Sequence, residues 1–399
     1  MPRLLVLDHD SVWPEYRAVY GLLASTHGWQ VTLAGPSSFG NLFERKIDHA
    51  SPVPTFPGRY VTVPVRWRFS TPLHCYLSTL VPLLRREKPD VIYVHHEAYM
   101  VATAQMFAAN AVTGRVPIGV YAAQNIEKRY PLPFRAWERW ILQTSAFAFV
   151  VSREAATLLV RKGLRCAPTL LPLYVDREMF HPHPAAAEVR QHLRCDADTL
   201  LLGYVGRLVE AKGLDTLLRA MASLQHRSWR LALVGGGPMQ PVLAARAREL
   251  GVEDRIAWVP PQDKRDLAPY MSAFDVLVLP SETRAGWKEQ FGRVIVEAMA
   301  CGTPVIGSSS GAIPEVIEAT GGGLVFPEGD ASALADAVAR LRDDPELRRR
   351  LGHDGRVTSL ELYAMERVAD RMGRHLAAVL RRPTSAAEPP FPVMDQGLG

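Results

Sequence analysis

The sequence predicts an α/β protein of two Rossmann-like domains whose parallel sheets face a central cleft. A chain of 399 residues is too long for one ordinary hydrophobic core. Both halves alternate short apolar runs with stretches of helical period, the pattern of right-handed βαβ units. A proline-rich break at residues 171–184 separates the halves. We therefore expect an N-terminal domain over 1–178 and a C-terminal domain over 179–360.

Each predicted strand is a short, continuous apolar run, as buried parallel strands are. In the first half these runs cover residues 4–7, 30–33, 61–65, 91–94, 118–121 and 146–151, with a helical pattern at 15–26. In the second half they cover residues 199–205, 230–234, 255–258, 275–279, 304–306 and 323–326, followed by a helical pattern over about 357–381. Ligands on such sheets bind at the carboxyl ends of the strands.

Composition excludes several classes of protein. Hydrophobic content of 48% and charged content of 22% indicate a globular chain, and no apolar run approaches the ~18 residues of a membrane helix. The first ten residues are too short an apolar run for a signal peptide, so we expect a cytoplasmic protein. The four cysteines are scattered, which predicts reduced thiols and no structural zinc. The formal charge of +5 suits anionic substrates or anionic lipid, and no nucleic-acid motif is present.

The stretch at residues 280–311 carries the most chemistry. Its periodicity predicts a helix starting near Phe291, with Glu289 and Glu297 eight positions apart, roughly 12 Å along a helix axis. The unpaired amides and the positive end of this helix, with Gly292 allowing close approach, suit a phosphate. A carboxylate cannot sit on phosphate, so both glutamates must reach hydroxyl groups on either side of it. Hydroxyls flanking a diphosphate describe a nucleotide sugar; the alternative is two solvated glutamates.

This stretch also resembles a known family. The run EQFGRVIVE, followed by AMACGTPVIGSSSG, resembles the donor-site motif of the retaining GT-B glycosyltransferases of family GT4, the glycosyl transferases group 1. GRLVEAKG at 206–213 resembles that family's phosphate-binding Arg/Lys motif, and LVGGGP and VLVLPSE resemble its neighbouring strand ends. The resemblance covers roughly residues 200 to 330. It implies a GT-B fold and a helix over 361–382 that crosses back to the first domain; a disordered tail is expected over 383–399.

The resemblance assigns roles to individual residues. Arg207 and Lys212 would neutralise the leaving diphosphate, and Glu289 would hold sugar hydroxyls; these three are the predicted catalytic residues. Glu297 would bind the ribose hydroxyls. Further predicted donor-binding residues are Phe291, Gly292, Arg293, Gly235, Gly236, Gly237 and Glu315. The alternatives are two surface cations for the Arg/Lys pair and helix capping for Glu315.

The predicted acceptor side departs from the family pattern. The loop after the first strand lacks the usual glycine pair and offers side chains such as Asp10 instead. Where many relatives carry a histidine, this chain has Gln124 and Asn125, whose amides donate hydrogen bonds but cannot take a proton. His95 and His96 follow a strand, and we expect them to line the acceptor side; an ordinary polar loop is the alternative. HHE lacks the spacing of a zinc motif, so no metal is predicted.

Two segments interleave basic and aromatic residues. They are RYVTVPVRWRF at 59–69 and RYPLPFRAWERW at 129–140. Such composition suits a lipid-linked acceptor and weak peripheral contact with the inner face of a membrane. It equally suits a core-packed helix with solvated arginines.

These features predict a retaining, metal-independent glycosyltransferase. It would move a hexose-type sugar from a UDP- or GDP-sugar, the co-substrate, to a hydroxyl of a glycan or lipid-linked acceptor, with no other cofactor. A glycoside hydrolase is disfavoured because a helix N-terminus increases the acidity of Glu289, which suits a general acid badly. A sugar-nucleotide epimerase of GT-B fold and a non-catalytic nucleotide-sugar-binding protein stay as alternatives. The sequence leaves the oligomeric state open.

Overall fold

The computed structural model describes residues 1–41, 46–50, 56–77 and 80–381. The predicted disordered tail over 383–399 lies outside these residues. The chain divides into two compact units, one formed by Met1–Pro172 with the described residues from Val368 onward, and the other by Leu173–Arg367. We call them unit 1 and unit 2. None of the described helices combines the length and the apolar character needed to cross a bilayer.

Unit 1 is an α/β layer structure around a parallel sheet. Its strands are β1 (Arg3–Leu7), β2 (Gln30–Pro36), β3 (Ser38–Asn41), β4 (Lys46–His49), β5 (Arg59–Val63), β6 (Val65–Arg66), β7 (Cys75–Tyr76), β8 (Val91–Val94), β9 (Ile118–Ala122), β10 (Phe147–Val150) and β11 (Pro168–Leu170). Its helices are α1 (Ala18–Thr26), α2 (Leu80–Glu87), α3 (Val101–Thr113), α4 (Phe134–Thr144) and α5 (Arg153–Arg161), and most of the C-terminal helix α14 (Met365–Arg381) also belongs to it.

The strand order of this sheet is β11-β10-β9-β8-β1-β2-β5. β1 lies between β2 and β8 and runs parallel to both, so the order of the chain reverses at β1 and β8. The apolar residues of β1 and β8 are almost entirely buried, as expected for central strands covered on both faces. A reversal of this kind is a topological switch point, where ligands of open α/β sheets bind.

Unit 2 repeats the plan. Its strands are β12 (Leu200–Val205), β13 (Trp229–Val234), β14 (Ile256–Val259), β15 (Val276–Leu279), β16 (Val305–Ser308) and β17 (Gly323–Phe326). Its helices are α6 (Ala186–His192), α7 (Leu214–Ser223), α8 (Gln240–Glu249), α9 (Leu267–Ala273), α10 (Arg293–Ala300), α11 (Ile313–Thr320), α12 (Ala331–Asp343) and α13 (Pro345–Tyr363). The strand order β14-β13-β12-β15-β16-β17 is that of a Rossmann fold, with its switch point between β12 and β15.

Two predicted helices differ from the structure. The pattern at 15–26 is split into a 3-10 turn, Pro14–Tyr16, and the helix α1. The pattern over about 357–381 is two helices, because residue Ala364 adopts extended backbone and forms a β-bridge with Val175. The Val175 amide donates to the Tyr363 carbonyl and its carbonyl accepts from the Met365 amide, which takes this junction out of the helix.

Candidate active site

A buried ion pair lies at the switch point of unit 2. Lys212 ends a 3-10 turn after β12, and Glu289 lies in the loop after β15. Lys212 Nζ is 2.5 Å from Glu289 Oε2, although the residues are 77 positions apart in the sequence. Both side chains are largely buried, 14% and 11% exposed. The Ser281 hydroxyl donates to the same carboxylate oxygen at 2.9 Å. Two residues predicted from separate motifs therefore form one charged cluster.

Backbone contacts bring these two loops together. The Glu282 amide donates to the Ala211 carbonyl at 2.8 Å. Gly213 has φ +62°, and a Cβ there would lie 2.0 Å from the Pro280 carbonyl oxygen. Only glycine combines this left-handed conformation with so close an approach. The glycine that ends the GRLVEAKG run thus fixes the position of Lys212.

The helix after Glu289 begins later than predicted. Gly292, with φ +76°, is the N-cap of α10, whose first helical residue is Arg293. Phe291 is buried and packs edge-on against Tyr363, with ring centroids 5.6 Å apart. The unpaired amides of the first helical turn therefore start at Arg293 and not at Phe291. The predicted 12 Å spacing assumed helix from Glu289 onward, and this assumption is wrong for residues 289–292.

Glu297 projects from α10 and is 6% exposed. Lys264 Nζ lies 3.5 Å from its Oε1. We did not predict Lys264, which belongs to a 3-10 turn after β14. Lys264 could have been predicted from its position shortly after a strand of the parallel sheet, which is also the position of Lys212. Each predicted glutamate of the E-x7-E motif is thus paired with a lysine from another loop.

The glycine loop after β13 packs directly on the Arg207 loop. The Leu208 amide donates to the Gly236 carbonyl at 2.8 Å. A Cβ on Gly235 would lie 1.9 Å from the Gly206 carbonyl oxygen, and one on Gly237 would lie 2.4 Å from that of Leu208. The Arg207 side chain is exposed, and its carbonyl accepts from the Tyr204 hydroxyl at 2.7 Å. Gly235 and Gly237 therefore allow contact of backbone with backbone beside Arg207, whereas a Cβ on Gly236 would meet the Pro261 side chain at 3.1 Å.

A fourth loop reaches the same edge. The Ala312 amide donates to the Glu289 carbonyl at 3.1 Å, which ties the start of α11 to the Glu289 loop. Glu315 lies in the first turn of α11. Trp287, which the sequence analysis missed, has its ring centroid 4.8 Å from Lys212 Nζ. The loops after β12, β13, β15 and β16 therefore converge at the carboxyl edge of one sheet.

In unit 1 both predicted acceptor-side amides already donate hydrogen bonds, Gln124 within its own loop and Asn125 to helix α5. The Gln124 side-chain amide donates to the Ile126 carbonyl at 2.9 Å, and that of Asn125 donates to Glu154 Oε2 at 3.2 Å. Glu97 Oε1 accepts the backbone amides of residues 123 and 124, each at 2.8 Å. Burial raises the pKa of Glu97 to about 7. Side chains therefore hold the loop at 123–126 in place, and no sequence motif predicts these hydrogen bonds.

The predicted histidines of unit 1 have different surroundings. His95 stacks on Tyr121, with ring centroids 4.4 Å apart. His96 is 2% exposed, and its Nε2 accepts the backbone amide of His9 at 3.0 Å. The Asp10 carboxylate lies 3.4 Å from His9 Nε2. Asp10 and His96 are thus both in contact with His9, which the sequence analysis did not select.

Comparison with known proteins identifies the family of the chain. Residues 186–358 match the glycosyl transferases group 1 family and residues 21–178 match Glycosyltransferase Family 4. D-inositol 3-phosphate glycosyltransferase of Xylanimonas cellulosilytica is 32% identical over 321 residues, which are 78% of this chain and 72% of that protein. The protein of the same name from Saccharomonospora viridis is 39% identical over 193 residues, 46% of this chain and 43% of that protein.

Further matches are to glycosyltransferases as well. GDP-mannose-dependent alpha-(1-6)-phosphatidylinositol monomannoside mannosyltransferase of Mycobacterium tuberculosis is 34% identical over 218 residues, 53% of this chain and 56% of that protein. The chain thus spans about half the length of several curated relatives that it matches. Sucrose-phosphate synthase of Thermosynechococcus elongatus has a TM-score of 0.73 at 23% identity, covering 95% of this chain and 99% of that one.

Anabaena HepE in complex with UDP has a TM-score of 0.73 at 19% identity, covering 95% of this chain and 100% of that one. At such identities the likeness concerns the fold, which is that of GT-B glycosyltransferases. The sequence matches cover both units. The chain belongs to the glycosyl transferases group 1 within glycosyltransferase family 4.

Proposed function

We propose that the protein transfers a hexose-type sugar from a UDP- or GDP-linked donor to a hydroxyl group of a glycan or lipid-linked acceptor, with retention of configuration. The Lys212–Glu289 pair at the switch point of unit 2 carries this proposal. It joins a cation suited to phosphate and a carboxylate suited to sugar hydroxyls at the edge where such sheets bind ligands.

The donor would lie across the four converging loops. Lys212 and Arg207 bind the diphosphate, together with the amides at the start of α10. Glu289 accepts hydrogen bonds from sugar hydroxyls and Glu297 from ribose hydroxyls. Arg293, Glu315 and the glycine loop at 235–237 would also contact the donor. Lys212 and Glu289 exchange part of their mutual contact for the ligand, which keeps both charges paired in either state.

The chemical step needs no side-chain nucleophile. The bond between the anomeric carbon and the diphosphate oxygen breaks, and the acceptor oxygen bonds to the same face of that carbon. The acceptor proton passes to the departing diphosphate oxygen. Lys212 and Arg207 stabilise the charge that develops on the leaving group. Because these cations are present, we propose that the diphosphate requires no metal ion.

The names of the relatives suggest acceptors to test. D-inositol 3-phosphate glycosyltransferases and a phosphatidylinositol monomannoside mannosyltransferase are among them. Both names describe alcohols of a phosphorylated cyclitol, free or lipid-linked. We propose an acceptor of this chemical type, with a phosphate or another anion near the reacting hydroxyl. The net charge of +5 favours such anionic acceptors.

The test begins with donor binding, measured as thermal shift with GDP-mannose, GDP-glucose, UDP-glucose and UDP-N-acetylglucosamine. The stabilising donor is then incubated in EDTA with inositol 3-phosphate or phosphatidylinositol mannoside, and products are analysed by mass spectrometry and NMR. We expect nucleotide release that depends on acceptor, and a retained anomeric configuration. Conversion of the donor to an epimer without acceptor, or donor binding without any product, would contradict the proposal. A requirement for Mn²⁺ would contradict metal independence.

We further propose weak contact of unit 1 with the inner face of a membrane, where a lipid-linked acceptor would lie. Trp67 is 59% exposed and Phe69 38%, and they alternate in the sequence with the exposed Arg66 and Arg68. This pattern suits anionic vesicles. In the second aromatic segment Trp140 packs edge-on against Phe107, with ring centroids 5.9 Å apart, which favours the packed-helix alternative there.

Vesicle flotation tests this contact. The full chain should float with phosphatidylglycerol vesicles and less with phosphatidylcholine vesicles. Trp67→Ser should reduce flotation several-fold, whereas Trp140→Phe should not. Equal flotation of the wild type and Trp67→Ser, or none of either, would refute the contact.

A further inference from the structure

Three histidines meet at the switch point of unit 1, whereas the proposed donor-site residues belong to unit 2. His9 follows β1, His96 follows β8, and His74 comes from the turn before β7. One ring nitrogen of each lies within 4.8 Å of the others. The ring centroids are 4.7 Å (His9 to His96), 5.2 Å (His74 to His96) and 5.4 Å (His9 to His74) apart. We call these residues the histidine triad.

Each ring of the triad has one buried nitrogen without a hydrogen-bond partner among the described residues. These atoms are Nδ1 of His9, Nε2 of His74 and Nδ1 of His96. His74 is 0% exposed and His96 2%. Buried side-chain nitrogens are normally hydrogen-bonded, because leaving them unpaired costs free energy. Three such atoms in one place indicate a common partner.

The outer nitrogens of two rings are already oriented. His74 Nδ1 donates to the Thr71 carbonyl at 2.6 Å, so the lone pair of this ring is on Nε2. His9 Nε2 lies 3.4 Å from Asp10 Oδ1, which leaves the lone pair on Nδ1. A carbonyl or a carboxylate behind the imidazole is the usual second partner of a metal-binding histidine. In both rings the lone pair is therefore on the nitrogen that has no hydrogen-bond partner among the described residues.

His96 joins them by changing one hydrogen bond. Its Nε2 accepts the His9 backbone amide, so its ring proton is on Nδ1. To bind an ion through Nδ1, the ring moves its proton to Nε2, and to bind through Nε2 it keeps the proton on Nδ1; in both cases the His9 amide loses this hydrogen bond.

We propose that the histidine triad binds one Zn²⁺ ion, with water in the fourth position. Zinc bound to three imidazoles at ~2.0–2.1 Å in tetrahedral geometry holds the ring centroids about 5 Å apart, which the triad satisfies. Imidazole nitrogen is one of the ligands that zinc prefers in proteins. The ion would link three segments of the chain, namely the loop after β1, the turn before β7 and the loop after β8. It would hold the loop at 8–17, where the family resemblance implies glycines.

One neighbouring side chain could hold the water molecule that is the fourth ligand. The Tyr76 hydroxyl is buried without a partner among the described residues, and its ring packs against His74 at 6.0 Å. A phenol hydroxyl can donate a hydrogen bond. A zinc-bound water would accept that hydrogen bond. The competing occupant is a water molecule alone, held by the same four groups. Metal titration separates the two.

The experiment uses the full chain without a histidine tag. After dialysis against a chelator, the protein is titrated with Co²⁺, followed by displacement with Zn²⁺. We expect the intense visible absorption of tetrahedral cobalt at about one ion per chain, submicromolar zinc affinity, and a rise in Tm with zinc. His74→Phe, which keeps an aromatic ring between Phe39 and Tyr76, should lower the zinc affinity at least a hundredfold.

The control is His353→Ala, whose side chain is 76% exposed and which should bind zinc like the wild type. Wild-type protein that shows no cobalt absorption and no zinc affinity below 100 μM would overturn the proposal and leave water as the occupant. Equal zinc binding by His74→Phe and the wild type would also overturn it. The wild-type cobalt spectrum decides the question even if a variant fails to fold. Neither readout depends on the glycosyltransferase reaction.

Discussion

The switch points of the two units have the same topology and different chemistry. In each sheet the first strand lies beside the fourth member of the parallel series, β1 beside β8 and β12 beside β15. Unit 2 places a lysine–carboxylate pair there, and unit 1 places three imidazoles. The strand order thus supplies a ligand-binding edge twice, while the side chains after the strands decide whether that edge suits anions and hydroxyls or a metal cation.

The two edges are also held differently. In unit 2 the loops touch through backbone, with Gly213 against Pro280 and Gly237 against Leu208. In unit 1 a buried side chain, Arg17, donates to the carbonyls of residues 11 and 12 at 2.6 and 3.0 Å. The expected glycine pair is absent from this loop. In this chain the loop at 8–17 is held by side chains, whereas the glycine loop that the family resemblance implies would leave its backbone open to a ligand.

The largest effect is expected at the charged pair. Glu289→Ala and Lys212→Ala should each lower kcat/KM about a hundredfold or more, because each removes a contact to charge or hydroxyls in the transition state. Initial rates with the identified donor and acceptor measure this. Glu249→Ala, on the exposed face of α8, is the matched control. Near-normal rates in a folded Lys212→Ala protein would refute the assignment of the site to this edge.

A smaller effect is expected from the glycine that joins the loops. Gly213→Ala introduces left-handed strain and a Cβ 2.0 Å from the Pro280 oxygen, so it should weaken donor binding at least tenfold. Gly321→Ala is the control, because Gly321 has φ +63° but no atom within 4 Å of its Cβ position. That variant should lose only about 1 kcal/mol of unfolding free energy, from strain alone. Equal donor affinity of the two variants would show that the close approach is unimportant.

Trp287→Ala should have a modest effect. The ring lies 4.8 Å from Lys212 Nζ, and a cation–π contact contributes about 0.5–2 kcal/mol. We therefore expect a loss of roughly two- to thirty-fold in kcat/KM. Trp287→Phe should recover part of it, because phenylalanine keeps a weaker π face. A Trp287→Phe enzyme no better than Trp287→Ala would argue against the cation–π contribution.

The smallest effect tests whether the two edges are independent. His74→Phe should change the dissociation constant of the donor by less than about twofold, since the ring contacts of His74 are with His9, Phe39, Tyr76 and His96 and not with a proposed donor-site residue. Isothermal titration with the identified donor measures this. Conversely, Lys212→Ala should bind zinc like the wild type. A tenfold change in the donor affinity of His74→Phe, or in the zinc affinity of Lys212→Ala, would show that the two sites are coupled.

Much of the fold was predictable because it depends on local pattern. The strands β8 and β17 have the predicted bounds because both are short apolar runs between turn residues, although β8 is fully buried and β17 is a partly exposed edge strand. The start of α10 was misplaced because Gly292 continues the apolar period but adopts a left-handed φ. The break at Ala364 depends on pairing with Val175, which is far away in the sequence and leaves no local signal.

The sequence by itself determined the α/β alternation and the motifs that identify the family, because side-chain period and residue spacing are properties of neighbours in the chain. Only the tertiary structure placed Lys212 against Glu289 and gathered His9, His74 and His96. Those contacts join loops after strands whose adjacency is set by the order of the sheet. That order results from long-range packing, so no local pattern of residues carries it.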